Sequence, residues 1–259
     1  ASFEWIMQEL FKSDRLLGTL LLIDHSMERM KDMAINFKIN PGILQSVPLF
    51  ASFSDQQIIT LLNYVQHRSF ARHVYVMHAG EETDSIYVIL SGKVKVMIAD
   101  DQGREVILGF MGPQEFFGEM GILDDQPRSA SVYTLEPCEM LRLSKPGFMT
   151  CLKEHSEVAM LVIRNLVQRL RAADRKIESL ALVDVSGRVA RLLIDMAQEI
   201  DGKLVVVRVP AKQEIARMIG ASREMVSRVI KELGTRGLIR TERRSIVIVD
   251  RNMSKSLKL

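Results

Sequence analysis

Cysteine is almost absent from this sequence: of 259 residues, only Cys138 and Cys151 carry a thiol. Two thiols supply neither a disulfide framework nor a four-cysteine zinc or iron–sulfur set. Long hydrophobic runs are missing too. Leu20-Leu21-Leu22-Ile23, the longest near the start, is far too short to cross a bilayer. Glu4, Glu9 and Asp14 interrupt any signal-peptide pattern, so neither anchor nor leader is expected and a reducing, cytoplasmic setting is. The chain also lacks a strong charge of one sign, with 35 Lys and Arg against 32 Asp and Glu, a net +3. What is present is 47% hydrophobic and 26% charged, a globular composition. The length suits one large or two ordinary domains with a core that needs no staples.

The near-neutral sum hides an asymmetry. Residues 184–259 hold 16 basic and 9 acidic side chains, a balance of +7, which leaves 19 and 23, a balance of −4, for residues 1–183. A basic module that meets a polyanion, joined to a module with another task, is the expected arrangement.

Periodicity divides the chain further. Residues 1–41 read as an amphipathic helical extension ending at Pro41-Gly42, with apolar positions such as Phe3, Ile6, Leu10 and Leu17 at helical spacing. Over residues 42–155, short β-rich runs recur at 74–76, 86–90, 93–98, 105–110, 131–134 and 139–143, separated by Gly- and Asp-containing turns, as in an antiparallel sandwich or barrel. From 156 to 183 the period becomes helical. Val158, Val162, Leu166, Leu170, Ala173, Ile177 and Leu180 repeat at a mean step near 3.5, which suits a long helix paired with its copy in a homodimer; a core helix of one chain is the alternative. Asp184 to Gly187 is a candidate hinge before a 184–259 domain, with a helix over 188–200, a turn at Asp201-Gly202, a strand over 204–209, helices over 213–218 and 223–233, a turn at 240–243 and a last β run over 244–249.

Residues 213–233 have helix-turn-helix spacing. Ala216 is small where two helices cross, Gly220 permits a left-handed turn, and Val226 and Val229 anchor the second helix. Ser222 is a good N-cap, followed by Arg223 and Glu224. Arg223, Met225, Ser227, Arg228 and Lys231 avoid the apolar stripe and face outward. Arg can donate twice to guanine and Glu can accept from cytosine N4 in a major groove. Lys212, Gln213, Arg217, Lys231 and Arg236 flank this tip, the cations as candidate phosphate contacts, and the Arg240–Arg244 cluster precedes a strand pair expected as a wing. A helical hairpin with an ordinary solvated face is the competing view.

Two segments carry a family resemblance. Phe117-Gly118-Glu119-Met120-Gly121-Ile122-Leu123 with Pro127-Arg128-Ser129-Ala130 resembles the phosphate-binding cassette of cyclic-nucleotide-binding domains. Gln213-Glu214-Ile215-Ala216 with Ser222 to Arg228 resembles the DNA reader of the cyclic-AMP receptor protein (CRP/FNR) superfamily. The resemblance runs in order from about Ile43 to Val249. It implies an α+β fold: an N-terminal β-barrel of the double-stranded β-helix (jelly-roll) type, a long dimerisation helix, and a C-terminal winged helix-turn-helix. It implies a homodimeric, ligand-gated transcription regulator on double-stranded DNA, with RNA polymerase as a further partner. Glu119 would take the ribose, and Arg128 and Ser129 the cyclic phosphate, beside Gly118 and Met120. Chemistry agrees, since Gly118 allows close approach, Arg128 can pair bidentately with a phosphodiester and Glu119 can accept from a 2′-OH. A Glu119–Arg128 salt bridge in an empty cassette is the alternative.

At the base end, the family's Thr-Ser pair is replaced by Ala173 and Asp174, while Arg169 is retained and could pair with Glu119. An ionised Asp174 can only accept, and guanine offers N1–H and N2–H side by side, so the ligand expected is cyclic AMP, cyclic GMP or cyclic di-GMP, with Asp174 favouring guanine; Asp174 facing water is the alternative. His67, His73 and His78 could ligate haem, but surface or packing roles are the plainer expectation, and no metal site is expected. No GxxxxGK[ST], HExxH or GxSxG motif is present, so no enzyme is expected. A cyclic-nucleotide-binding module whose winged helix meets a protein is a third possibility.

Overall fold

The computed structural model describes residues 40–242 and 245–250. The expected extension over residues 1–41 falls outside it except for its last two residues. With Asn40 as N-cap, Pro41 opens a one-turn helix, α1 (Pro41–Gln45), as a proline at the first helical position can. A 3₁₀ turn at Pro48–Phe50 and α2 (Asp55–Leu62) follow, the latter begun by a reciprocal Ser54/Gln57 capping box.

Eight strands then form two four-stranded antiparallel sheets. In chain order they are β1 (Val65–Phe70), β2 (Tyr75–Met77), β3 (Ser85–Ser91), β4 (Val94–Ala99), β5 (Glu105–Met111), β6 (Phe116–Phe117), β7 (Ser131–Thr134) and β8 (Cys138–Ser144). One sheet has the order β1-β8-β3-β6 and the other β2-β7-β4-β5, the facing halves of the expected jelly roll. A one-turn helix, α3 (Met120–Leu123), interrupts the strands after β6. Two strands escape sequence reading. β1 carries Gln66, His67, Arg68 and Ser69 and lies at a sheet edge, where polar residues are tolerated, and β6 is two residues long.

The first sheet's inner residues Ile86, Val88, Leu141 and Leu143 join Phe116, Phe50 of the 3₁₀ turn and Phe148 of α4 (Lys145–Glu154) in one core. Met77, Ile89, Val94, Val132 and Met140 form a second core. Both cysteines are buried free thiols; burial pushes the Cys151 thiol up to about 11.

The long helix α5 spans Ser156–Leu182, as its period predicts, but its apolar stripe splits. Val158 and Val162 are buried in the core of the first sheet, with Leu166 packed on it, so this half behaves as the core helix of the alternative reading. A second seam, Met160, Ile163, Val167, Leu170 and Ile177, is 44–64% exposed and steps by three and four, with Asp174 in register between the last two. A continuous step near 3.5 conceals the division because it drifts across the helix surface while the jelly roll ends at its own edge.

The C-terminal head comprises α6 (Val185–Met196), β9 (Gln198–Ile200), β10 (Lys203–Val206), α7 (Lys212–Ile219), α8 (Arg223–Thr235), β11 (Ile239–Glu242) and β12 (Ser245–Ile248). Three expectations change. The break after α5 is confined to Val183 and Asp184, because Asp184 caps α6 by accepting from the Gly187 N–H at 2.7 Å, which puts Gly187 inside the helix. The helix stops at Met196 instead of reaching Ile200. Asp201-Gly202, both at positive φ, closes a β9–β10 hairpin that needs residues 198–200 extended. Arg240 lies on strand β11 of the β11–β12 hairpin, not in a turn before it; Arg243 and Arg244 are outside the described residues.

Candidate ligand site and nucleic-acid interface

The cassette sits between β6 and β7. Glu119 is fully buried, and its Oε1 accepts from Arg169 Nη1 of α5 at 2.8 Å. Arg169 Nη2 also donates to the Phe116 carbonyl, and its guanidinium lies 5.7 Å from the Phe116 ring centre. Burial raises the Glu119 pKa above the usual carboxylate range, against the pull of Arg169 and then Arg128. Its second oxygen, Oε2, is buried with no hydrogen-bond partner. Buried acceptors are normally satisfied, so this oxygen has room in its hydrogen bonding for one more donor.

Arg128 takes an unexpected position. It pairs neither with Glu119 nor with solvent. Nη1 donates to Ser85 O at 2.7 Å and Gly118 O at 3.0 Å, while Nη2 makes longer contacts to Ser85 Oγ at 3.3 Å and Asp84 Oδ1 at 3.4 Å. Burial tends to raise the Asp84 pKa, but the Ser85 hydroxyl, Arg142 and Arg128 outweigh it and hold the carboxyl below its ordinary value. Gly118, at φ 89°, is needed for the approach of Arg128: a Cβ there would lie 2.5 Å from Nη1. Ser129 Oγ lies 3.7 Å from Met120 Sδ, and Met120 opens the one-turn α3. Ala173 and Asp174 are exposed on α5. Sequence reading missed Asp84 and Ser85, although a polar pair opening the solid apolar strand Ile86 to Leu90 is a signal that a buried partner lies nearby.

In the head, Ala216, Val226 and Val229 are buried at the helix crossing and Gly220 is left-handed at φ 63°. Ser222 Oγ accepts from the Met225 N–H at 3.2 Å. Lys212, Gln213, Arg223, Glu224, Met225, Arg228 and Lys231 are exposed and Ser227 half-buried. The Glu224 carboxyl is held below its usual range by its own backbone N–H and the Ser222 hydroxyl. Two candidate phosphate contacts are engaged within the chain, as is Arg240 of the basic cluster, which lies 3.3 Å from Glu242. Arg236 lies 3.7 Å from Glu232, and Arg217 Nη1 lies 3.0 Å from Glu105 Oε2 at the start of β5. That last pair joins head to sensor, and Lys176 Nζ of α5 donates to the Ile107 carbonyl on the same strand.

His67, His73 and His78 have ordinary surroundings. His67 pairs with Glu139 at 3.0 Å, His78 stacks on Tyr75, and His73 lies near Tyr133. Among the described residues, no group of three or more His, Cys, Asp or Glu could hold a metal, and no helix is long and apolar enough to cross a membrane.

A jelly roll with a buried Glu–Arg cassette, a long helix and a basic winged helix-turn-helix together define a small-molecule sensor coupled to a DNA-binding head. Comparison with known proteins makes this specific. The cyclic nucleotide-binding domain profile matches residues 67–155, and the Crp-like helix-turn-helix domain profile matches residues 187–253. The cAMP-activated global transcriptional regulator Vfr of Pseudomonas aeruginosa is 34% identical over 196 residues, 73% of this chain and 91% of Vfr. A CRP-like cAMP-activated global transcriptional regulator of Mycobacterium tuberculosis is 34% identical over 212 residues, 80% and 95% of the two chains. The c-di-GMP responsive global regulator CLP of Xanthomonas campestris matches with a TM-score of 0.65 and 29% identity, over 76% of this chain and all of that one. The chain belongs to the CRP/FNR family. It is a DNA-binding transcription regulator, and these relatives are regulators, not enzymes.

Proposed function

We propose that the chain acts as a homodimer on a palindromic operator and that a cyclic nucleotide in the sensor controls it. The observation that carries this reading is Glu119 Oε2: a buried, unpartnered acceptor beside Arg169, fitted to a ribose 2′-OH. Ser129 and Arg128 take the phosphate. Arg128 gives up its two long contacts, to Asp84 and Ser85 Oγ, and keeps the two short ones. The exposed seam of α5 is the dimer face, since apolar positions at this spacing need a like partner. Two recognition helices, α8 and its copy, then stand one DNA turn apart, with Arg223, Glu224 and Arg228 on base edges and Lys212 and Lys231 on phosphates.

Control runs through α5. The helix is tied to the cassette by Arg169 and to β5 by Lys176, and β5 holds Arg217 of the head through Glu105. A ligand whose 2′-OH donates to Glu119 Oε2 shares the carboxylate with Arg169, so it alters the first tie and biases the remaining two. It can shift this balance only by its differential affinity for the two states. RNA polymerase is the expected further partner of the DNA-bound dimer.

Asp174 supports a guanine ligand. It stands in the apolar seam, where a carboxylate facing its own copy is costly unless a donor intervenes, and guanine N1–H and N2–H are such donors. Calorimetry with cyclic AMP, cyclic GMP and cyclic di-GMP tests both points. Saturable binding of a guanine nucleotide that Glu119→Gln abolishes is expected. Tight cyclic AMP binding alone contradicts the guanine assignment, and no binding of any of the three contradicts the sensor.

A further inference from the structure

Two helices outside the jelly roll, α2 and α4, leave a groove between them. α2 contributes eight residues and α4 ten, so the groove runs for roughly two to three turns. A cavity of about 110 Å³ opens within it. Its floor is apolar: Phe53, Leu61 and Cys151 are buried there, and Tyr64 lies against Gly147, where a Cβ would come within 2.4 Å of the Tyr64 Cβ. Its rims are polar, with Gln56 and Thr60 on α2 and Thr150 and Glu154 on α4. Tyr64 remains 37% exposed, as does Ile43 of α1, and Ile59 of α2 is 53% exposed. An apolar floor between polar rims is the form of surface that takes the apolar face of an amphipathic helix.

The chain before Asn40 carries such a face in its sequence. Leu20, Ile23, Met27, Met30, Ala34 and Phe37 repeat at steps of 3, 4, 3, 4 and 3, while Asp24, Glu28, Arg29 and Lys31 fall outside the stripe. A helix with one apolar stripe draws its stability from burying that stripe. The stripe ends three residues before Asn40, the N-cap of α1. Gln45, the last residue of α1, donates from Nε2 to Oδ1 of Asp55, the first residue of α2, at 2.9 Å. That bond sets α1 against the end of α2 where the groove begins with Phe53 and Gln56. A connection of three residues spans at most about 10 Å. The stripe is therefore held near this groove at an effective concentration on the order of millimolar, above what a free partner normally reaches.

We propose that residues 20–37 form a helix that lies in the α2–α4 groove of their own chain, with Met27 and Met30 over the cavity. The connection sets the direction. The Phe37 end meets the start of α2, so the two helices run antiparallel, which pairs opposite ends of their dipoles. The segment before Asn40 is then a fixed part of the sensor, and it closes the path from water to Cys151.

Hydrogen exchange read by mass spectrometry on the full chain tests the contact from both sides. Residues 20–37 should be protected, and Met27→Asp should accelerate their exchange roughly tenfold or more. Gln56→Arg and Thr60→Arg, made separately on the exposed rim of α2, should accelerate exchange of the same residues, while β3 and β8 keep their protection and show that the sensor stays folded. Glu28→Gln, outside the stripe, should leave the pattern unchanged. Free exchange of residues 20–37 in the unaltered chain overturns the proposal. So does protection that Met27→Asp removes but both rim substitutions leave intact, since the stripe then lies on another surface or on a second copy of the chain.

Discussion

The sensor and the head handle charge in opposite ways. In the head the proposed DNA-contacting cations stand in water: Arg223, Arg228, Lys212 and Lys231 are exposed and make no ion pair among the described residues. In the sensor the proposed ligand-binding charges are out of water: Glu119 is fully buried and Arg128 has 4% of its side chain exposed, each held by named partners. An exposed charge reads a ligand cheaply but is screened by salt, whereas a buried one is costly unless matched and so reports when its match arrives. Losses should therefore be structural in the sensor and salt- or sequence-dependent in the head.

The largest effect is expected from Arg169→Ala. It strands the Glu119 carboxylate in the core and frees α5 from the cassette, and should cost on the order of 3 kcal/mol in thermal or urea unfolding. A loss below about 0.5 kcal/mol would mean that Glu119 is neutral or finds another partner. Next, Arg223→Ala should cost about 1–3 kcal/mol of discrimination at one base pair, while Lys231→Ala weakens all sequences alike and lowers the salt slope by about one. Competition assays on single-base operator variants at several salt concentrations separate the two. A uniform loss for Arg223→Ala would remove it from the base readers.

Glu105→Gln tests the contact between the regions. Freed from Glu105, Arg217 becomes available to phosphate, and the ligand-free protein should bind operator about fivefold more tightly, the equivalent of one partly exposed ion pair. Unchanged affinity would show that the pair does not restrain the head.

The smallest effect concerns pH. Because burial raises the folded-state pKa of Glu119, its ionisation costs more in the fold than in the unfolded chain. Its contribution to stability is therefore present at low pH and lost as pH rises from the ordinary carboxylate range toward the raised folded value. Glu119→Gln should flatten that fall in pH-dependent melting. A steeper fall in the variant would reverse the sign assigned to this group.

The same contrast explains what the sequence discloses. In the head, the N-cap Ser222, the small Ala216, the left-handed Gly220 and the anchors Val226 and Val229 are local requirements of two crossing helices, each legible at its own position. The 27-residue span of α5 is equally legible from its period. The Arg169–Glu119 pair is foreseeable from the motif, but the destination of Arg128 is not, because Asp84 and Ser85 lie more than forty residues away and meet it only through the sheet. Nor is the division of the α5 stripe, which depends on where the sensor ends against the helix. The Glu105–Arg217 pair joins residues from separate regions, and neither carries a local mark.

In the proposed mechanism, occupancy of the buried sensor site frees the exposed head, and fluorescence anisotropy of a labelled palindromic duplex titrated with protein measures that coupling. A saturating cyclic nucleotide should tighten binding of the unaltered chain, Glu119→Gln should abolish this response, and Glu105→Gln should largely supply it without ligand. Equal DNA affinity with and without every candidate nucleotide, in a protein that calorimetry shows to bind one of them, would contradict it.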